Sequence, residues 1–311
     1  MSAQHNNLAS LAAPTEIVDR SISSRIAYSV GGISFGVRSD SDMRLALDPG
    51  LADFAVDAAR CDMEFTSQWA DEIAMPFVAP AFHSGGLWTA FQESDGTSLY
   101  FHSHYLGRSP YKRCWFNDDL NCGRVSLLRR CFSSELPVYP LEYPLDELLM
   151  IHRLTRGEGA EIHACGVVSQ DRTGRLFVGH SGAGKSTASR LWLGQPGVRV
   201  LSDDRIILRF MDGCPVMFGT PWHGDAGLAE QASAPVHQIF LLDQSPTNEI
   251  VPLNPARAAA ELFARTFVPH HHAAGLQRTL DFLQKLTAIV PVAILRCTAD
   301  RRAIEEVLRA A

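Results

Sequence analysis

The chain has 311 residues, about two domains at roughly 150 residues each. A formal net charge of −6 gives no sequence-wide basic field to attract nucleic acid or an anionic membrane. With 46% hydrophobic and 20% charged residues it can bury a sizeable core, which excludes disorder over most of its length. The apolar run Ala288 to Leu295 contains Pro291 and is too short to span a bilayer. Met1 to Pro14 lacks the basic start and apolar stretch of a signal peptide. Seven cysteines, an odd number with no Cys-x-x-Cys, suit neither a disulfide framework nor a zinc site. The expectation is a soluble, cytoplasmic protein with no nucleic-acid and no membrane partner. Self-association is left open.

In chain order, residues 1–20 are small and polar, and a disordered tail is expected there. Residues 21–145 read as a β-rich accessory or substrate-recognition domain. Ile26–Val30 and Ile33–Val37 flank Gly31-Gly32, a hairpin signal. Leu87–Phe91 and Leu99–His102 flank Glu93–Gly96 in the same way, and Lys112–Leu128 reads as a third pair turning near Asn117-Asp118-Asp119. Pro137, Pro140 and Pro144 form a joint, and Leu145–Leu154 is a short amphipathic helix.

Residues 146–311 change character. A strand over Glu161–Gln170, a turn at Asp171–Gly174 and a short apolar strand over Arg175–Val178 lead into a glycine-rich loop, Gly179–Ser186. A helix to about Leu193, a turn at Gly194–Gly197, a strand over Val198–Ser202 and a hairpin turning at Met211-Asp212-Gly213 follow. Val236–Leu242 and Val290–Cys297 are apolar enough for buried strands. Helical patterns fill Pro255–Arg265, Gly275–Leu286 and Arg301–Ala310, so the fold class is α/β with some antiparallel hairpins.

The loop reads Gly179-His180-Ser181-Gly182-Ala183-Gly184-Lys185-Ser186, followed by Thr187, and matches G-x-x-x-x-G-K-[ST]. Glycines let the backbone turn sharply and present N–H groups to phosphate oxygens, and the following helix adds its positive end. In such a loop Lys185 reaches the β- and γ-phosphates and Ser186 holds Mg²⁺. Only three of the 28 basic residues are lysines, Lys112, Lys185 and Lys285, so a lysine here signals a need for a mobile point charge. Leu201-Ser202-Asp203-Asp204 closes an apolar strand further on. Two adjacent carboxylates allow one to hold Mg²⁺ and the other to take a proton from a hydroxyl.

Ile162-His163-Ala164-Cys165-Gly166-Val167-Val168, then the glycine-rich loop, then Ser202-Asp203-Asp204, in this order and spacing, resembles the catalytic core of HPr kinase/phosphorylase. That family is related in fold to the ATP-dependent phosphoenolpyruvate carboxykinases. The resemblance covers about residues 160–300. It implies a P-loop, HPr-kinase/carboxykinase-like C-terminal domain beside the smaller β-rich N-terminal one. It also implies Asp203 as catalytic base, Asp204 and Ser186 at the metal, and His163 as the residue that orients or tunes the base. Thr187 departs from the acidic residue that often follows the loop in that family. The glycine-rich C-terminal signature of phosphorolysis is missing, so neither the reverse reaction nor HPr itself is expected. Gly219-Thr220-Pro221-Trp222-His223-Gly224-Asp225 resembles a segment of the divergent relatives, some of which phosphorylate a serine of lasso-type precursor peptides.

The expected activity is therefore an ATP- and Mg²⁺-dependent kinase acting on a hydroxyl, with a serine of a peptide or protein as acceptor. A small-molecule hydroxyl kinase and a nucleotide-dependent switch are the alternatives. Two readings of Trp222 stand together, a pocket mouth and a core plug. His270-His271-His272 reads as a solvated loop, because consecutive positions rarely point at one metal. Arg108–Arg130 carries six basic residues against Asp118 and Asp119 and reads as a solvated hairpin face, with docking of an acidic partner as the alternative. Arg205 and Arg296, near strand ends, are candidates to face a phosphate.

Overall fold

A computed structural model describes residues 23–309 apart from Ser134 and Ala299. The tail expected at 1–20 lies outside the described residues. Two large sheets organise the chain.

The first sheet has eight strands: β1 (Arg25–Val30), β2 (Ile33–Ser39), β3 (Met63–Ala70), β4 (Phe82–His83), β5 (Trp88–Gln92), β6 (Gly96–Ser103), β7 (Gly107–Asn117) and β8 (Cys122–Leu128). Their spatial order is β1-β2-β3-β8-β7-β6-β5-β4. The three hairpins read from turn residues are present. β1 and β2 meet at Val30 and Ile33 around Gly31 and Gly32, both with φ near +60 to +70° as a tight primed turn requires. β3 has no counterpart in the sequence reading. It lies parallel to both β2 and β8, so no adjoining turn announces it.

Helix α1 (Leu145–Leu154) has the boundaries its periodicity predicts. Leu145, Leu149, Met150 and Leu154 nonetheless pack into the core of the first sheet, with Tyr28, Phe35, Phe65 and Phe101. A boundary between 145 and 146 would sever this helix from the core it helps to build.

The second sheet has nine strands: β9 (Ala160–Val168), β10 (Gly174–Val178), β11 (Arg199–Ser202), β12 (Arg205–Met211), β13 (Cys214–Gly219), β14 (Ser233–Gln244), β15 (Glu249–Pro252), β16 (Thr266–Phe267) and β17 (Val292–Cys297). Helices α2 (Lys185–Leu193), α3 (Pro255–Phe263), α4 (Ala273–Thr287) and α5 (Arg301–Arg309) complete it. Successive strand residues point to opposite faces. Leu176 and Val178 join a core closed by Leu262 and Leu283 of α3 and α4. Phe177 between them joins a core closed by Trp192 of α2 and Ile304 of α5. The sheet therefore carries helices on both faces.

One strand changes partners midway. Over Ala160–His163, β9 pairs with β12 along one edge and β16 along the other; over Ala164–Val168 it pairs with β11 and β10 in their place. β11 ends at Ser202 and β12 begins at Arg205, so Asp203 and Asp204 sit where these neighbours part. The Ala164 N–H donates to the Asp204 carbonyl at 2.9 Å, which fixes the aspartate pair against the switch point.

Candidate functional site

The glycine-rich loop joins β10 to α2. Gly182 and Gly184 adopt φ of +81° and +102°, conformations that cost an L side chain roughly 1–2 kcal/mol. At Gly179 a Cβ would meet the Ala183 side chain at 2.6 Å, so the loop closes only around glycine. The Gln244 amide donates to the Gly182 carbonyl at 2.9 Å and ties the loop to the end of β14. His180 and Ser181 are exposed at its tip. The Arg265 charge, more than burial, holds His180 below its ordinary pKa.

Lys185 is only 6% exposed, and its Nζ donates to the Gly179 and His180 carbonyls at 3.0 and 3.2 Å. Burial pushes its pKa down, and Asp204 acts in the opposite direction. Ser186 and Thr187 occupy the first turn of α2 and line the same pocket as Lys185.

Asp204 is the meeting point. Its Oδ1 lies 2.8 Å from His163 Nε2 and 3.8 Å from Lys185 Nζ, and its Oδ2 accepts from the Arg205 guanidinium. Burial opposes the charge of Asp204, but the His163 hydrogen bond, with Arg205 and Lys185, outweighs it. The carboxyl is thereby held below the usual range.

Asp203 is a correction. Expected as the base, it is 1% exposed and turned inward. Its Oδ1 accepts the Gly224 and Leu228 N–H groups at 3.0 and 3.3 Å, and its Oδ2 accepts that of Ala226 at 2.9 Å. Of the two adjacent carboxylates, Asp203 fastens the 224–228 loop and Asp204 lines the pocket. Adjacent residues leaving a strand end face opposite ways, and sequence alone does not say which faces in.

The pocket has a volume of about 830 Å³. Its lining joins residues of the loop and α2 to Asp48, Tyr139, Tyr143 and Asp146 of the first half, and to Trp222 and His223. Trp222 fulfils both readings, since it lines this pocket and packs into the first core.

Arg205, a candidate from the sequence, is held at the site by Glu147, which the sequence reading did not single out. The Arg205 Nε donates to Glu147 of α1, and the guanidinium lies 4.9 Å from the Phe267 ring of β16. Glu147 is a buried carboxylate within the apolar pattern of α1, and that mismatch was its signal. Next to it, Glu161 is fully buried. Burial, reinforced by the Glu147 charge, raises its carboxyl well above the usual range.

Other expectations resolve elsewhere. Arg296 of β17 pairs with Asp243 of β14 and Glu249 of β15 and does not line the pocket. His271 is not solvated: its ring packs on Phe82 and Trp88 and meets His152 with Nε2 atoms 3.4 Å apart. Three of the six basic residues in the stretch form ion pairs. Lys112 is buried against Glu142, Arg113 pairs with Glu93 and Arg129 with Asp42. All seven cysteines are free thiols. Among the described residues no group of three or more His, Cys, Asp or Glu could hold a metal ion, and no helix is long and apolar enough to cross a membrane.

No family model matches the chain, and no curated protein matches it. Among solved structures it is similar to the Hpr(Ser) kinase/phosphatase from Coxiella burnetii, at 17% identity and a TM-score of 0.29. That match covers 48% of this chain and 94% of the other. A likeness so distant carries no weight in the chemistry, which rests on the residues themselves.

Proposed function

We propose that the protein is a kinase that transfers the γ-phosphoryl group of ATP to a hydroxyl, with a serine of a peptide or protein as acceptor. The observation that carries this reading is the convergence of Lys185, His163 and Asp204 on one pocket at the mouth of a glycine-rich loop that opens a helix. The loop N–H groups and the positive end of α2 suit phosphate oxygens. Lys185 exchanges the Gly179 and His180 carbonyls for phosphate when nucleotide enters.

The pocket's oxygen donors fit a magnesium ion held by few protein ligands and several waters. Ser186 and Asp204 are the residues that would hold it, and it would supply neutralisation of charge on the phosphate oxygens. With Asp203 turned inward, Asp204 is also the carboxylate left to receive the acceptor proton. The hydroxyl oxygen bonds to the γ-phosphorus, the bond to the β-phosphate oxygen breaks, ADP leaves, and the proton passes to Asp204. His163 orients that carboxylate through the hydrogen bond at 2.8 Å.

The test is incubation with γ-labelled ATP and Mg²⁺ against a panel of serine peptides and small hydroxyl compounds. Label on a peptide serine is the expected result. Label on free small molecules alone would replace the acceptor class, and ATP hydrolysis without any labelled acceptor would leave a nucleotide-dependent switch.

A further inference from the structure

Resting on that kinase reading, we propose that a second cavity, uncharged and adjoining the phosphate loop, holds the base of the nucleotide donor by apolar contact alone, so that adenine and guanine nucleotides bind alike.

This cavity has a volume of about 530 Å³, with α2 and α5 both contributing to its wall. Phe177 of β10, Leu242 of β14 and Leu295 of β17 line it, each close to the carboxyl end of its strand. β14 runs parallel to both β10 and β17. In open α/β sheets, ligands bind outside the carboxyl ends of such strands. Three residues line both this cavity and the pocket of Lys185 and Asp204: Gly184, Thr187 and Gln244. Gly184 precedes α2, Thr187 lies in its first turn, and Gln244 ends β14 and is tied to the loop through Gly182. A nucleotide with its phosphates on the loop therefore has the cavity beside it for the rest of the molecule.

The two linings differ in chemistry. Lys185, Asp204 and Arg205 line the first pocket and suit phosphates and a metal ion. Among the described residues, none that lines the cavity is charged. A phosphate buried there would have no partner for its charge, whereas a neutral base needs none. Phe177 and Trp192, both buried, back the cavity. Small-molecule sites of roughly 300–1,000 Å³ are commonly lined in this way, by apolar side chains with few polar groups.

Little in the lining is left to read the edge of a base. The Gln244 amide N–H is given to the Gly182 carbonyl. Ser245 Oγ accepts the Thr247 N–H at 3.3 Å, and Thr298 Oγ1 donates to Asn248 Oδ1 at 3.3 Å. Thr187 stands at the junction with the phosphate loop. Adenine and guanine differ in the amino and carbonyl groups on their edges. Strong discrimination between them needs buried polar groups that the wrong base leaves unpaired. Apolar contact supplies affinity without that choice.

The experiment is isothermal calorimetry on the full chain in Mg²⁺. Its ligands are the β,γ-imido analogues of ATP and GTP, which resist transfer, and inorganic triphosphate, which has no base. The two nucleotides are expected to bind within about fivefold of each other, and each at least about tenfold tighter than triphosphate. A larger preference for either base, or triphosphate within about tenfold of the nucleotides, would overturn the proposal. This comparison on the parent chain needs no variant. Ala188→Leu on α2 and Ala303→Leu on α5 each add carbon atoms at the cavity wall. In a variant with the parent's circular dichroism, both nucleotides should weaken at least about fivefold while triphosphate binds as before. Unchanged nucleotide affinity in both variants, or an equal loss for triphosphate, would also overturn it. If none of the three ligands binds the parent chain, the kinase reading itself fails; if triphosphate binds as tightly as the nucleotides, that reading stands and only the base subsite is lost.

Discussion

Glu147 and Arg205 are joined side chain to side chain across 58 residues of sequence, and the same guanidinium grips Asp204. Glu147 rides on a helix packed into the first core, and Arg205 begins a strand of the second sheet. The candidate site is thus set by both halves of the chain. Glu147→Gln keeps the shape but removes the charge that holds Arg205. In the kinase reading, its kcat should fall about tenfold with a displaced pH profile, while its circular dichroism stays that of the parent. An unchanged pH–rate profile would show that Glu147 does not act through Asp204.

Asp203 and Asp204 should separate stability from activity. Asp203→Asn keeps a carbonyl oxygen but brings an NH₂ toward backbone N–H groups. Three bonds to an ionised acceptor are disturbed, and a loss of about 3 kcal/mol in unfolding free energy is expected. Asp204→Asn should cost far less. Urea unfolding of both variants is the check, and equal losses would remove the distinction.

Lys185→Ala should leave the melting temperature close to the parent's, because Nζ meets only loop carbonyls of Gly179 and His180 and the edge of Asp204. Affinity for ATP should fall at least tenfold, since the lysine is a positive charge on the phosphates. Unchanged nucleotide affinity by fluorescence titration would take the loop out of the account.

Burial pushes the His152 imidazole down to about 4, and its Nδ1 lies 2.7 Å from the Leu148 carbonyl. The unfolded chain protonates this histidine near its ordinary value of about 6.5, whereas the folded chain does not until about 4. Stability is therefore lost as pH falls from about 6.5 to 4. Replacing His152 with Gln should flatten that part of the stability–pH curve, measured by thermal melts. A curve as steep as the parent's would mean that other groups carry it.

Much of this architecture was legible where local chemistry decides it. Gly31-Gly32 specifies a hairpin because both residues need positive φ, and Leu145–Leu154 specifies a helix by its apolar spacing. Lys185 stood out because lysine is rare in this chain. β3 was missed because its neighbours are parallel strands far off in sequence. The inward turn of Asp203 was missed because only the path of the 224–228 loop decides which carboxylate is buried. His271 was misplaced because Phe82 and Trp88, which cover it, come from the other half of the chain.

The central claim is that Asp204, aligned by His163, serves a phosphoryl transfer from nucleotide held at Lys185. Single-turnover transfer from γ-labelled ATP to a serine peptide, measured for Asp204→Asn with nucleotide saturating, tests it most directly. The rate of the bound complex should fall by about 10²- to 10⁴-fold, the usual worth of a positioned acid–base group. A bound-state rate equal to the parent's would contradict it.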